Sequence, residues 1–166
     1  MAIGDQALRD AFFFFTEIIN DISTSGKPIN DEQWNSPLLT YLMTRKQLNH
    51  LNQICEKNDW PPQTCPGITI YPRHIQHVLS SRSSDGLSWE DVAVILAASY
   101  SSQSIVAINK GHEQQGIILN DQKGIMIGKN RFFGMAIIEI SIYDLAPVTA
   151  YHAPEAKVRA IKRRPL

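Results

Sequence analysis

Apolar residues recur in steps of three and four from Asp5 to about Ile22, at Leu8, Phe12, Phe15, Ile18, Ile19 and Ile22. That stepping puts them on one face of a helix, which predicts a core-facing stripe. Ser23 to Asn35 carries Gly26, Pro28 and small polar residues and reads as a loop. Ser36 followed by Pro37 signals a helix start, and a second helix is expected to run to about Lys57, with Leu38, Leu42, Leu48, Leu51 and Ile54 toward the core. The segment NDWPPQTCPG that follows holds three prolines and a glycine. It reads as a linker between packing units or as an exposed functional loop.

After Pro72 a short helix is expected around His74, Ile75, His77 and Val78. Ser88 with Asp91 three positions on resembles a capping box, and the helix it opens should reach about Tyr100, burying Val92, Ile95, Leu96 and Tyr100. From Ser104 the period changes. SIVAINK, QGIILND, GIMIGKN and FFGMAIIEISIYD are rich in β-branched and aromatic residues and are separated by polar turns, with NDQKG the clearest hairpin signal. A last strand is expected around Thr149 and Tyr151. The pattern predicts an α+β protein: N-terminal helices packed on one face of a C-terminal antiparallel sheet of four or five strands. It is read as a single domain over residues 1–166, with a helical part of about 1–65.

Composition supports a packed core, since 43% of the 166 residues are hydrophobic and 19% are charged. The longest apolar run near the N-terminus, Ala11 to Phe15, is far short of the roughly 20 residues of a spanning helix and has no basic leader, so neither a signal peptide nor a membrane segment is expected. Cys55 and Cys65 flank the Trp-Pro-Pro turn. Two such thiols do not make a metal-ligand set, and whether they pair depends on the compartment.

Charge changes the picture more. The net charge is zero, yet residues 1–101 hold seven Lys/Arg against eleven Asp/Glu and residues 102–166 hold nine against five. The strand-rich half is the positive one. Its end, with Lys157, Arg159, Lys162, Arg163 and Arg164, suits a polyanion, because clustered cations release counterions when they neutralise phosphates. The alternative is a solvated, basic C-terminus.

No Walker loop, GxGxxG, HExxH or paired CxxC occurs in the sequence, so no metal and no cofactor is implied. A thinner constellation remains. His74 and His77 in YPRHIQHV are three apart and share a helix face, where an imidazole can move protons near neutral pH. Lys110 in AINKG follows an apolar strand and is placed to project an ammonium into a cleft. Thr149 and Tyr151 alternate along the last strand and so point to one side, with hydroxyls suited to phosphate oxygens. Each of these is also a common residue for ordinary structural reasons.

The order of these features resembles the barnase, EndoU, colicin-nuclease and RelE-like superfamily, most nearly its phage-borne and polymorphic-toxin branches. The resemblance rests on a histidine-bearing helix, a further helix, antiparallel strands with a lysine after the first, and a late T-x-Y strand followed by a basic segment. It covers about Ile68 to Arg163 and leaves the first 65 residues without a counterpart. It implies a small metal-independent ribonuclease acting on RNA, tRNA included, in the cytoplasm, delivered from another cell in some cases and held in check by an immunity or antitoxin protein. Carried over by position, it makes His74 the acid or base, Lys110 the electrostatic stabiliser, and Thr149 and Tyr151 phosphate ligands. His77 becomes the candidate second acid or base, and Lys157, Arg159, Lys162 and Arg163 the RNA-binding cations. The rival readings are a non-catalytic protein-binding module, such as an immunity or accessory protein, and a non-catalytic RNA binder.

Overall fold

The computed structural model describes residues 3–26 and 31–163. The chain opens with α1 (Ile3–Ser25), a short α2 (Asp31–Trp34), β1 (Leu39–Leu42) and α3 (Arg45–Asn58). Then come β2 (Gly67–Ile70), α4 (Pro72–Ser83) and α5 (Trp89–Ser99). The C-terminal half holds β3 (Ile105–Ile108), β4 (Gln115–Leu119), β5 (Ile125–Ile127), β6 (Asn130–Ile140), β7 (Leu145–Pro154) and α6 (Glu155–Lys162).

The α+β architecture expected from the pattern is present, with a five-stranded antiparallel sheet in the C-terminal half. β6 is its spine. β7 pairs along one edge from Phe132 to Ile140, while β4 and β5 share the other edge, pairing with Met135–Glu139 and Asn130–Phe132 respectively. β3 then pairs with β4 and forms the outer edge. Directly opposed residues share a face, so Gly134, Ala136 and Ile138 look to the side of α5, and Phe133, Met135 and Ile137 look to the side of α6.

Each face carries its own core. The larger one joins Phe12 of α1, Ile75 and Val78 of α4, and Val92, Ile95 and Leu96 of α5 to the inner residues of the sheet. The smaller is closed by Val158 and Ile161 of α6. The sheet is therefore covered on both faces, not on one as the pattern suggested. The basic C-terminal segment is itself the second cover: its period sends Val158 and Ile161 inward and leaves Arg159, Lys162 and Arg163 exposed.

The expected helix from Ser36 does not form. Residues Leu39 to Leu42 are a strand, in which Tyr41 is buried and Leu42 is 66% exposed. Leu38 and Leu42 mimic a helical step of four, but the chain follows the period of two up to Met43. The helix begins only after Thr44, whose hydroxyl accepts from the Gln47 amide while the Gln47 side chain accepts from the Thr44 amide. β1 then pairs with β2 as a separate two-stranded antiparallel sheet. NDQKG is not a hairpin either, because β4 and β5 both pair with β6 and not with each other. Asn120 holds that loop, donating to the Ala98 carbonyl and accepting from the amides of Gln122 and Lys123. The tight turn lies later, at Gly128 and Lys129, where Gly128 has φ +62°. The capping box at Ser88 and Asp91 forms as expected. Cys55 is buried, Cys65 is exposed, and both are free thiols.

The seat of α5 on β6 depends on one glycine. A Cβ at Gly134 would lie 2.8 Å from the Ala98 Cβ and 2.9 Å from the Ser99 amide nitrogen, so any side chain there pushes the helix off the sheet. Overpacking of this kind typically costs about 1–3 kcal/mol. Gly134→Ala is expected to lower the urea midpoint by that equivalent with the slope unchanged, and a midpoint equal to wild type would show that the helix is not so closely seated.

Candidate active site

The candidate site lies where β2, the first turn of α4 and the start of β7 meet. Strand periodicity sends Ile68 and Ile70 into the core and turns Gly67, Thr69 and then Tyr71 outward to a cleft of about 530 Å³. Tyr71 precedes α4 in extended conformation, with Pro72 at the first helical position. That proline fits the first turn because its missing amide proton has no intrahelical acceptor there. Ile75 and Val78 anchor α4 in the core, which leaves Arg73, His74 and His77 along the side that lines the cleft. The opposite wall is the stretch from Asp144 to Val148. β7 is bulged here: Thr149 opposes Ile137 and Pro147 opposes Ile138, so Val148 is the extra residue. β2 runs beside β7 but does not join its ladder.

Burial pushes the His74 imidazole down to about 4, with the neighbouring His77 a smaller contribution in the same direction. His74 is therefore neutral at pH 7, and its buried Nε2 has no hydrogen-bond partner among the described residues. Arg73 Nε lies 3.5 Å from the Asn35 Oδ1, which steers the guanidinium along the cleft wall. Asp144 is held by Ser141, whose hydroxyl accepts from the Asp144 amide and lies 3.1 Å from its carboxylate. A neutral imidazole, a second imidazole one turn on, a guanidinium and a phenol facing one small hollow can bind an anion of phosphate size and move a proton on either side of it.

Of the residues expected to meet, His74 and His77 do line one cleft, and Lys110, Thr149 and Tyr151 are not among its lining residues. Lys110 is exposed in the β3–β4 connection. β3 is three strands from β7, about 14 Å across the sheet at the usual spacing. Thr149 and Tyr151 do share a face, but it is the face of α6, opposite Ile137 and Met135, and Arg82 reaches over the Tyr151 ring at 5.7 Å. The single constellation of four is therefore corrected to a pair of histidines with Tyr71, Arg73 and Asp144. The alternation of GITIY carried a signal for Tyr71, and the place of Arg73 beside His74 carried one for the guanidinium. Nothing in the sequence pointed to Asp144.

The cations expected to bind RNA also sit elsewhere. Lys157, Arg159, Lys162 and Arg163 belong to α6 and its end, on the sheet face opposite α5. Arg159 pairs with Glu155 at 3.5 Å and Lys162 with Asp121 at 3.0 Å, so two of the four are already engaged. Among the described residues, no group of three His, Cys, Asp or Glu side chains could hold a metal ion, and no helix is long and apolar enough to cross a membrane.

The depressed His74 value ties stability to pH. Below the ordinary imidazole value of 6.5 the unfolded chain takes up a proton that the folded chain refuses until about pH 4, so acidification across that window favours unfolding. His74→Asn is expected to remove a loss on the order of 2–3 kcal/mol between pH 7 and pH 4. Urea denaturation of both chains at the two pH values measures it, and parallel losses in the two chains would contradict the assignment. No family model, curated protein or solved structure matches this chain.

Proposed function

We propose that the cleft between β2, α4 and β7 is a ribonuclease site that cleaves RNA through the attack of its own 2′-hydroxyl. The reading rests on the sequence resemblance and on one observation: Arg73, His74 and His77 lie within a single stretch of one helix and line the same hollow of about 530 Å³. RNA supplies the nucleophile, so the protein needs only a base, an acid and a stabiliser of the phosphorane charge. Neutral His74 accepts the 2′-hydroxyl proton. His77, on the exposed side of the helix, returns a proton to the departing 5′-oxygen. Arg73 and the Tyr71 hydroxyl hold the non-bridging oxygens. The products are a 2′,3′-cyclic phosphate and a 5′-hydroxyl, with every proton accounted for. In this form of the proposal Lys110, Thr149 and Tyr151 have no contact with the substrate. RNA, tRNA among its forms, is the partner, the cytoplasm is the site of action, and an immunity or antitoxin protein would act by covering the cleft.

A protein-binding module is the second reading. It is favoured by Ile142 and Tyr143, which are 71% and 88% exposed on the turn that leads into the cleft wall at Asp144. Such a surface binds without reacting.

Incubation of the protein with RNA in chelator, followed by detection of cyclic-phosphate ends, separates the two. His74→Gln and His77→Asn should each slow cleavage by about 10²- to 10⁴-fold with unchanged folding, the usual contribution of a placed acid or base. The acid limb of the wild-type profile should lie near pH 4, where the His74 base becomes protonated. Absence of cyclic ends from wild type, or full activity in His74→Gln, would leave the binding reading standing.

A further inference from the structure

A second feature lies far from the cleft, beyond the β3 edge of the sheet. Two adjoining depressions of about 650 and 430 Å³ share Lys46 and His50 and form a groove along the outer side of α3. Arg45, Lys46, Asn49, His50 and Gln53 make one wall, and the 102–106 segment with Gln122 makes the other. Among the described residues, no acidic one lines either depression. In a chain with sixteen acids balancing sixteen bases, that sorting concentrates positive potential in the groove.

Two nearby carboxylates are engaged in other directions, and Glu56, exposed on α3 three residues after Gln53, is not part of the lining. Asp5 accepts from the amide and hydroxyl of Ser102 and opens on a separate depression. Asp121 has a side chain only 4% exposed and is paired with Lys162. The walls are also fixed relative to each other. The buried Gln47 amide, on α3 just inside the groove, donates to the carbonyls of Ser101 and Ser104, so α3 cannot shift against the opposite wall without breaking both bonds.

We propose that this groove binds the phosphodiester backbone of a single nucleic-acid strand. Arg45 to Gln53 spans eight helical steps, about 12 Å, enough for about three phosphates of one strand. Asn49, Gln53, Gln103 and Gln122 add amides, which both donate and accept. Sugar hydroxyls and base edges call on both functions, whereas the carboxylates of an acidic side chain take donors alone. The α3 wall lies outside the part of the chain that resembles the nucleases, the opposite wall lies within it, and the site does not depend on cleavage.

The test is fluorescence anisotropy with a labelled 12-residue 2′-O-methyl-uridylate, which lacks the nucleophilic hydroxyl, and with a thymidylate of equal length, across a salt series. The double variant Arg45→Ala/Lys46→Ala should bind about tenfold more weakly. Its slope of log affinity against log salt should shrink by about 1.4, because each phosphate contact in a single strand contributes about 0.7. Lys129→Ala, an exposed lysine on the β5–β6 turn, should change neither quantity. Tighter binding of the uridylate assigns a preference for an RNA-like sugar, and equal binding assigns recognition to the backbone alone. The proposal fails if wild type does not bind at low salt, if the double variant keeps its affinity and slope while remaining folded by circular dichroism, or if polyglutamate competes equally. Because His74→Gln should slow cleavage by about 10²- to 10⁴-fold and leave this binding intact, failure of the nuclease reading and failure of the groove are distinguishable.

Discussion

The amide of Gln47 is a buried polar joint between the two halves of the chain. It is 4% exposed, and all of its hydrogen-bonding capacity is taken up. Its nitrogen donates to the carbonyls of Ser101 and Ser104, 2.9 and 2.8 Å away, and its oxygen accepts from the Thr44 amide and lies 2.6 Å from the Tyr41 hydroxyl. One side chain thus caps its own helix, fixes β1 through Tyr41, and ties both to the bend between α5 and β3. Buried amides tolerate little rearrangement, since a freed donor or acceptor in the interior costs about 1–3 kcal/mol. Burial pushes the Tyr41 phenol up to about 12, which keeps it protonated within this network at physiological pH.

From that junction the remaining geometry follows in two directions. Toward β3, the tie brings the polar side of α3 against the sheet edge and makes a groove. Toward β7, it holds the β1–β2 ribbon upright beside the sheet and lets β2 deliver Tyr71 and the first turn of α4 to the cleft. The two sites differ in character. The cleft mixes cation, acid and imidazole within a partly desolvated hollow, the environment in which titrations shift. The groove is open, cationic and hydrogen-bonding, better suited to holding a chain than to reacting with it.

Helices marked by an apolar period, a first-turn proline or a capping box were readable from the amino acids where no strand pattern competed. α1 announces itself by its apolar stepping, α4 by Pro72, and α5 by Ser88 with Asp91. The strands of the second half were readable as strands, but their neighbours were not: β4 and β5 are consecutive and yet both turn to β6. The stretch from Ser36 to Asn58 was misread because Leu38 and Leu42 satisfy a helical step while Tyr41 and Met43 satisfy a strand, and only the tertiary demand for a buried Tyr41 decides between them. The same limit applies to function. His74 and His77 lie on one helix, so their meeting is local. Lys110, Thr149 and Tyr151 depend on strand order and on which face of the sheet meets which helix, and neither is encoded within a short window.

Pro147 gives the cleft its permanence. It stands in an edge strand, beside a bulge, and lines the cleft together with Gly67 and Thr69 of β2. With no amide proton to offer and with the pleat thrown out of step by Val148, this stretch of β7 makes a poor template for another strand. The molecule therefore carries an interrupted seam, where seven strands could have closed into one surface, and its chemically richest residues gather at the interruption. A cleft made by withholding main-chain bonds needs no lid to stay open.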